Sequence, residues 1–505
     1  MRLIKRVFGV AFSRLFLVGA MLALQIGIAV TAMLYFRQFL FHIYIPMYLI
    51  SFIFVIAIVN NGTNPVYKIT WIIAIFGFPL AGGLFYLFFG ATRLPRKLVR
   101  RLAKQDDILD HMTEPAGGEL SPALRMQESY IRNVTGFPAC ANTQAEYYAL
   151  GEHMFDAMIR ELKQAQRYIF IEFFIIRPGK MWDSIFAILQ EKVKDGVKAY
   201  VMYDDIGSIK TMPKGYDKKI RAAGISLCVF NPFRPRLSPM LNYRDHRKIM
   251  VVDGKTAFCG GINLADEYIN QLERFGHWRD TGVMLRGGAA WQFALLFLQQ
   301  WQFGTQSNID IAQFIPRYEL PRGDGLVQVL GDSPLDSDNV TESAYHNIIS
   351  RAAKYVYITT PYLVIDYNME QALCTAAQSG IDVRIVTPYR YDKWYVHALT
   401  RSHYKRLILS GVKIYEYTPG FIHSKMFVSD DSICMVGTCN MDFRSFYLHF
   451  ECSVAFYNSS VIRKVKEDIL DCQKLSHAVT RVEASDVSAP TKVLRAMLKL
   501  FAPLM

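Results

Sequence analysis

The sequence predicts an α/β protein of two similar lobes, related by a pseudo-twofold axis and preceded by an N-terminal anchor of membrane helices. Three observations support this prediction: a polar motif occurs twice, a strand-helix-strand pattern accompanies each copy, and apolar residues are concentrated at the N-terminus. With 505 residues the chain can form two or three domains with large cores. Hydrophobic residues make up 51% and charged residues 20%, an apolar composition for a soluble protein.

The N-terminal anchor is predicted from three uncharged apolar stretches, at residues 15–36, 39–59 and 69–89. As a helix, each is long enough to cross an acyl core of about 30 Å. Residues 1–92 are therefore expected to form a membrane anchor with two to three hydrophobic helices. A cleavable signal peptide is the alternative for the first stretch, although its apolar run is longer than such peptides usually have.

The orientation of the anchor follows from two basic clusters, one before the first stretch and a larger one after the third. They comprise Arg2, Lys5, Arg6 and Arg14, and Arg93, Arg96, Lys97, Arg100, Arg101 and Lys104. Both clusters favour the cytoplasmic side, which three full spans cannot satisfy. Either one segment lies in the interface or re-enters, or the smaller cluster is overruled. The larger cluster predicts that the two lobes lie on the cytoplasmic face.

The two lobes are predicted from a repeated order of strand, helix and strand, first within residues 165–205 and again within residues 352–389. This order implies mainly parallel sheets with crossover helices. The predicted boundaries are a basic linker at 93–145, a first lobe at 146–305, an inter-lobe connection at 306–340 and a second lobe at 341–485.

The last segment, residues 486–505, is predicted to be an amphipathic C-terminal helix. Its apolar face suits the surface of an anionic bilayer, and docking on the core of the protein itself is an equal alternative. The formal net charge of +13 favours anionic partners, either lipid or nucleic acid.

The duplicated motif reads His-x-Lys, then Asp, then Asn. Its members are His246, Lys248, Asp253 and Asn263 in the first copy, and His423, Lys425, Asp430 and Asn440 in the second. In a strand, side chains alternate with period two, so the His and Lys of each copy share one face. The Asp has the opposite parity and lies in the turn that ends the strand. We expect the two aspartates to brace the backbone rather than touch a substrate.

Paired histidines, lysines and asparagines that converge on one cleft suit the chemistry of a phosphodiester. A neutral imidazole can attack phosphorus to form a phosphohistidine, while a second, protonated imidazole gives its proton to the departing alkoxide. The lysines offset charge on the phosphoryl oxygens, and the asparagines add neutral donors. An alcohol or water then releases the intermediate.

No metal and no cofactor are expected, because no carboxylate cluster has the spacing of a hard-cation site. The eight cysteines form no Cys-x-x-Cys pair and no zinc spacing, and we expect them to be free core residues.

Each catalytic histidine needs a partner on its second ring nitrogen. Asp280 and Glu451 each enter an apolar strand shortly after a motif Asn, and we expect them to fix the tautomers of His246 and His423. The alternative is that both are ordinary acids at the surface end of a strand.

With both His-Lys-Asp copies intact, the chain resembles the phospholipase D superfamily and, within it, the bacterial cardiolipin synthases. The resemblance covers nearly the whole chain, including NYRDHRK, HWRDTGV and GVKIYEYTPGFIHSK. It implies two phospholipase D-like lobes with mixed sheets flanked by helices, and the motif residues His246, Lys248, Asp253, His423, Lys425 and Asp430 as the catalytic set. One departure is Gly261, which stands where the second copy has the hydroxyl residue Thr438. This departure removes one expected hydrogen bond to phosphate.

The resemblance further implies a membrane-bound cardiolipin synthase acting on phosphatidylglycerol among anionic membrane lipids. A phosphatidyl group would pass from one phosphatidylglycerol to His246, with His423 as general acid, and then to a second phosphatidylglycerol with release of glycerol. A phospholipase D or nuclease that uses water as acceptor is the alternative, and a non-catalytic scaffold is a third. No basic run interleaved with aromatics indicates a nucleic-acid groove. The acceptor and the oligomeric state are left open.

Overall fold

The computed structural model describes residues 14–35, 40–90, 119–233, 242–336 and 338–504. The larger basic cluster and most of the predicted linker lie outside these residues. The chain divides into two compact units. One comprises Met1–Pro95, Phe233–Tyr243 and Ala496–Met505, and the other comprises Arg96–Pro232 and Arg244–Arg495.

The described residues of the first unit are mostly helical. Its N-terminal helices are α1 (Arg14–Tyr35), α2 (Leu40–Val59), α3 (Pro65–Gly77) and α4 (Pro79–Phe85), followed by a π-helical turn at Tyr86–Gly90. Ile58, Trp71 and Ile75 form a small buried cluster between α2 and α3. No helix in the described part of the chain has both the length and the hydropathy needed to cross a membrane.

The third apolar stretch is not one helix, contrary to the sequence prediction. Helix α3 ends at Gly77, and Phe78 has the non-helical angles φ −137° and ψ 77° before Pro79 starts α4. The cause is Pro79, which lacks an N–H donor and disfavours helical geometry in the residue before it.

The first described helix of the second unit is α5 (Pro122–Thr135), which lies within the predicted linker. Ser121 caps its N-terminus, and Gly136, with φ 77°, ends it in the left-handed region that favours glycine. Leu124 and Ile131 are buried in the core of the second lobe. These residues therefore pack as part of that lobe.

The first lobe contains a seven-stranded sheet in the order β1-β9-β7-β6-β2-β3-β4. Its strands are β1 (Thr143–Tyr148), β2 (Tyr168–Phe173), β3 (Lys198–Asp204), β4 (Ser226–Phe230), β6 (Lys248–Val252), β7 (Thr256–Gly260) and β9 (Gly282–Gly287), with the short strands β5 (Arg244–Asp245) and β8 (His277–Arg279) outside it. The helices are α6 (Gly151–Lys163), α7 (Lys180–Lys194), α8 (Asp205–Ser208), α9 (Tyr216–Ala222) and α10 (Gly288–Thr305).

The second lobe repeats this arrangement in the order β10-β19-β17-β16-β11-β13-β14, with β20 added at the edge. Its strands are β10 (Leu326–Asp332), β11 (Tyr355–Thr359), β12 (Leu363–Val364), β13 (Asp382–Pro388), β14 (Lys413–Tyr417), β15 (Gly420–Ile422), β16 (Met426–Ser429), β17 (Ile433–Gly437), β18 (Met441–Asp442), β19 (His449–Tyr457) and β20 (Ser476–Ala478). The helices are α11 (Val340–Arg351), α12 (Tyr367–Gln378), α13 (Trp394–Leu409), α14 (Phe443–Tyr447), α15 (Ser460–Lys474), α16 (Arg481–Ser485) and α17 (Ala489–Phe501).

The duplication predicted from sequence is therefore confirmed. The sheets are mixed, as the family resemblance implied, and not mainly parallel as the order of strands and helices alone indicated. In each lobe two neighbouring pairs are parallel, β2 with β3 and β3 with β4 in the first, while the strands from the motif to the far edge run antiparallel. The reason is that no α-helix crosses over between β6, β7 and β9. β6 and β7 are joined by a short turn that reverses the chain, and β9 follows β7 through a longer connection that contains β8.

The lobes exchange short strands next to the two motifs. β5, directly before the first motif, pairs in parallel with β19 of the second lobe. β15, directly before the second motif, pairs in parallel with β8 of the first lobe. This reciprocal pairing agrees with the predicted pseudo-twofold relation and brings the two motifs together.

Candidate active site

The two motif histidines lie at equivalent places, each between an exchanged strand and the central strand that carries the apolar part of its motif. His246 follows β5, and its backbone N–H donates to the Phe450 carbonyl at 2.9 Å. His423 follows β15, and its backbone N–H donates to the Arg279 carbonyl at 2.7 Å. Each histidine is thus held by the backbone of the opposite lobe, next to the carboxylate that follows in the chain, Glu451 or Asp280.

Glu451 and Asp280 both contact a histidine of the other lobe. His246 Nδ1 lies 2.8 Å from Glu451 Oε1, and His423 Nδ1 lies 2.6 Å from Asp280 Oδ2. Both carboxylates are fully buried, so the alternative that they are surface acids is wrong. When Nδ1–H donates to a carboxylate, the lone pair is on Nε2, which is then the reactive nitrogen.

The electrostatic environment keeps both imidazoles neutral in the protein without a ligand. Burial lowers the pKa of His246 well below its usual value, and Lys248, Lys425 and His423 lower it further. Burial and Lys425 lower the pKa of His423 to about 4, while Asp280 acts in the opposite direction. A bound phosphate would add negative charge and favour the protonated form of the imidazole.

The two motif lysines are buried in the same region. Lys248 Nζ donates to the carbonyl of His246 at 2.6 Å, and Lys425 Nζ donates to the carbonyl of His423. Burial lowers the pKa of both ammonium groups, that of Lys425 to about 7. Two desolvated cations beside two imidazoles favour an anionic ligand, such as a phosphate diester.

The motif asparagines are buried but differ in their partners. Asn263 Oδ1 accepts a hydrogen bond from the Ile175 N–H at 3.0 Å, and its Nδ2 donates to the Tyr268 hydroxyl at 2.8 Å. Asn440 Nδ2 donates to Ser445 Oγ at 3.2 Å. Each side-chain amide has a second N–H beyond these contacts. Both asparagines can therefore still donate to a phosphoryl oxygen, as expected.

Asp253 and Asp430 lie at the far ends of the motif strands, roughly 20 Å of extended chain from the histidines. Asp253 accepts hydrogen bonds from three consecutive backbone N–H groups at 2.8 Å, those of residues 166–168. Asp430 accepts from the equivalent residues 353–355 at 2.6 to 2.9 Å. The structure thus gives both aspartates the bracing contacts expected from their parity, at a distance from the imidazoles.

The structure explains locally why the first copy has Gly261 where the second copy has the hydroxyl residue Thr438. The Thr438 hydroxyl donates to Glu451 and accepts from the Cys452 N–H, so it holds a carboxylate in place. At Gly261 a Cβ would lie only 1.9 Å from Asp280 Oδ1, so a side chain there would collide with the carboxylate. The Thr281 N–H supports Asp280 instead, at 2.9 Å.

The aromatic residues that flank the two histidines were not predicted from the sequence. His449 packs on His246 with ring centroids 5.1 Å apart, and Trp278 packs on His423 at 5.3 Å. Each lies two residues before a partner carboxylate, so the period of a strand places it on the same face. This spacing was the signal available in the sequence.

Comparison with known proteins identifies the family. Residues 158–273 and 345–472, which contain both motifs, match the family described as "Cardiolipin synthase, PLD-like domain". A cardiolipin synthase of Geobacillus kaustophilus (strain HTA426) is 33% identical over 97% of this chain and 98% of its own length. The chain belongs to the cardiolipin synthase family of the phospholipase D superfamily. It is an enzyme of the phospholipase D type.

Further relatives extend this family assignment along the chain. Residues 49–90 match the family described as "Phospholipase_D-nuclease N-terminal". An uncharacterised protein of Streptococcus mutans serotype c is 40% identical over 89% of this chain and 99% of its own length. The crystal structure of a phosphatidylserine synthase from Haemophilus influenzae Rd KW20 has the same fold, with a TM-score of 0.58 over 76% of this chain and 98% of that chain, at 14% identity.

Proposed function

We propose that this protein is a membrane-bound cardiolipin synthase that joins two phosphatidylglycerol molecules and releases glycerol. The observation that supports the proposal best is the pair of buried imidazoles, each with Nδ1 on a carboxylate of the opposite lobe and a buried lysine beside it. Both proposed steps need one attacking imidazole and one that carries a proton. The names of the relatives supply the lipid substrate class.

In the first step, His246 Nε2 attacks the phosphorus of one phosphatidylglycerol. The P–N bond forms as the P–O bond to glycerol breaks, and His423 gives its proton to the departing oxygen. In the second step, a hydroxyl of another phosphatidylglycerol attacks the phosphohistidine, His423 takes the hydroxyl proton, and the P–N bond breaks. Atoms and protons balance over the two steps, so no metal or cofactor is required.

The electrostatics support His246 as the nucleophile and His423 as the acid. His423 is itself among the groups that lower the pKa of His246, whereas Asp280 raises the pKa of His423 against the effect of burial. When one proton enters the pair, it is therefore favoured on His423. Lys248 and Lys425 would neutralise the phosphoryl oxygens, and Asn263 and Asn440 would donate to them. Asp280 and Glu451 act as positioning residues.

Purified enzyme supplied with phosphatidylglycerol alone tests the function. We expect cardiolipin and glycerol in equal amounts, because each transfer releases one glycerol. Lipid mass spectrometry and a glycerol assay measure the two products. Phosphatidate as the main product would show that water is the acceptor and would overturn the proposed transferase.

Contact with a bilayer is supported by apolar side chains that the first unit leaves exposed. Leu49 and Ile53 on α2 are 61% and 67% exposed, and further exposed apolar residues lie on α1 and α3. Apolar patches of this kind mark interaction surfaces in general, and a lipid surface suits a lipid substrate. We place the lobes on the cytoplasmic face, as the larger basic cluster predicts.

The sequence left two alternatives open for the C-terminal helix α17, docking on the protein itself and contact with a bilayer, and the structure has features of both. Its end is docked, since Thr70 Oγ1 donates to the Leu500 carbonyl at 2.8 Å. Nevertheless, the helix has no buried residue within Ala489–Phe501, and Val493 and Met497 are 60% and 56% exposed. The exposed apolar side chains are therefore available to the interface of a bilayer.

We expect the double substitution V493S/M497S to lower activity on phosphatidylglycerol vesicles about 30-fold, because the two changes together remove on the order of 2 kcal/mol of apolar burial in lipid. Activity on detergent-solubilised lipid should change little. The measurement is the ratio of the two activities, with V482S as control, since Val482 is 71% exposed on α16. Equal losses in both assays would instead support a purely structural helix.

A further inference from the structure

A third histidine shares the carboxylate of His246. His449 lies two residues before Glu451 on β19, and its Nδ1 is 3.4 Å from Glu451 Oε1. The same oxygen is 2.8 Å from His246 Nδ1. The two histidines are 7% exposed and Glu451 is fully buried. Two imidazole nitrogens thus face one carboxylate oxygen inside the protein.

His449 Nδ1 makes no hydrogen bond to any residue that the structure describes. If its Nδ1 carries a lone pair, that lone pair faces a carboxylate, which is unfavourable unless a cation lies between them. Two imidazole nitrogens and one carboxylate oxygen together are a donor set that suits a cation.

We propose that His246, His449 and Glu451 form a site for a divalent transition-metal ion of the Zn²⁺ type, and that occupation of this site inhibits the enzyme. One ligand atom from each residue lies within 4.8 Å of the others. Zinc bonds of about 2.0–2.2 Å in tetrahedral geometry place ligand atoms roughly 3.3 Å apart, close to the 2.8 and 3.4 Å observed. Two imidazoles and one glutamate are a common zinc ligand set.

The inhibition follows from the tautomer of His246 and rests on the proposed role of this residue as nucleophile. A metal ion bound at Nδ1 takes the lone pair of that nitrogen, and the ring proton moves to Nε2. Nε2–H has no lone pair with which to attack phosphorus. The ion would prevent the first step by binding at Nδ1, on the other side of the ring from the attacking nitrogen. Because it would not occupy the phosphate cleft, added lipid should not reverse the inhibition.

The proposed metal site lies at His246, and the equivalent position at His423 lacks one of the three ligands. Trp278 occupies the position equivalent to His449, two residues before Asp280, and its indole packs on His423. Indole offers no ligand to a metal ion. In addition, Lys248 and Lys425 lower the affinity for any cation nearby. Nitrogen ligands therefore decide which ions bind, with Cu²⁺ and Zn²⁺ ahead of Co²⁺ and with Mg²⁺ and Ca²⁺ ineffective.

A metal titration of the full-length, metal-free protein tests the site independently of activity. Co²⁺ serves as the probe, because its tetrahedral complexes absorb visible light. We expect wild-type protein to show this absorption, and His449→Gln and His449→Phe to lose it. The phenylalanine variant retains an aromatic ring against His246. The control is His346→Gln, which removes the histidine of a second possible metal group, with Glu342 and Asp366, and should retain the signal.

The second measurement is transfer activity with and without Zn²⁺, each variant compared with its own metal-free rate. We expect Zn²⁺ to lower the activity of wild type and His346→Gln at least tenfold and that of the His449 variants less than twofold. EDTA should leave the metal-free rate unchanged. Co²⁺ absorption that persists in folded His449 variants would overturn the site. Co²⁺ bound through His449 with full activity would overturn the tautomer argument and, with it, His246 as the attacking group.

Discussion

His246→Ala is expected to abolish the covalent phosphatidyl-enzyme for every substrate, whereas His423→Ala should still form it from an ester with a good leaving group. The physical reason is that p-nitrophenolate leaves without a proton, so a missing general acid matters little, while a missing nucleophile cannot be replaced. With phosphatidylglycerol, loss of the acid should lower the rate about 10²- to 10⁴-fold.

The measurement is intact-mass or phosphopeptide analysis after rapid quench, with phosphatidyl p-nitrophenol as substrate. Both variants replace a buried imidazole of the same centre by the same residue, so each is the matched control of the other. A phosphatidyl adduct on His423 in the His246→Ala protein would reverse the assignment.

Glu451→Gln and Asp280→Asn should each lower the transfer rate about 10²- to 10⁴-fold, as expected for loss of the carboxylate that fixes a catalytic histidine. A glutamine N–H would favour a lone pair on Nδ1 of His246 and leave the proton on Nε2, which is the wrong tautomer for attack. Asp280 raises the pKa of His423, so its replacement should lower that pKa and reduce the protonated fraction. The defect of Asp280→Asn should therefore be larger at high pH and smaller at low pH.

The pH profile of the transfer rate separates this positioning role from a structural one. Asp253→Asn is the matched control, since Asp253 braces the backbone of residues 166–168 and lies far from the imidazoles. It should lower the melting temperature with little change in the pH profile. An Asp280→Asn profile that falls uniformly at all pH values, together with a lowered melting temperature, would argue against pKa control of His423.

Several features of the active centre could be read from sequence because they are local in the chain. The period of a strand places His246 and Lys248 together and turns Asp253 away, and a motif found twice predicts a lobe found twice. Asp280 and Glu451 stood out as acids that enter apolar strands. Pro79 is local in the same way, and α3 ends at Gly77 because proline disfavours helical geometry in the residue before it.

The tertiary structure decided what depends on residues distant in sequence. Glu451 reaches His246, and Asp280 reaches His423, because β5 pairs with β19 and β15 pairs with β8 across the two lobes. The spacing of residues along the chain does not determine which strands pair. A strand that is apolar on both faces can be buried equally well against a strand of either lobe. The position of the third histidine, His449, beside His246 is likewise a result of this strand pairing and could not be predicted from the sequence.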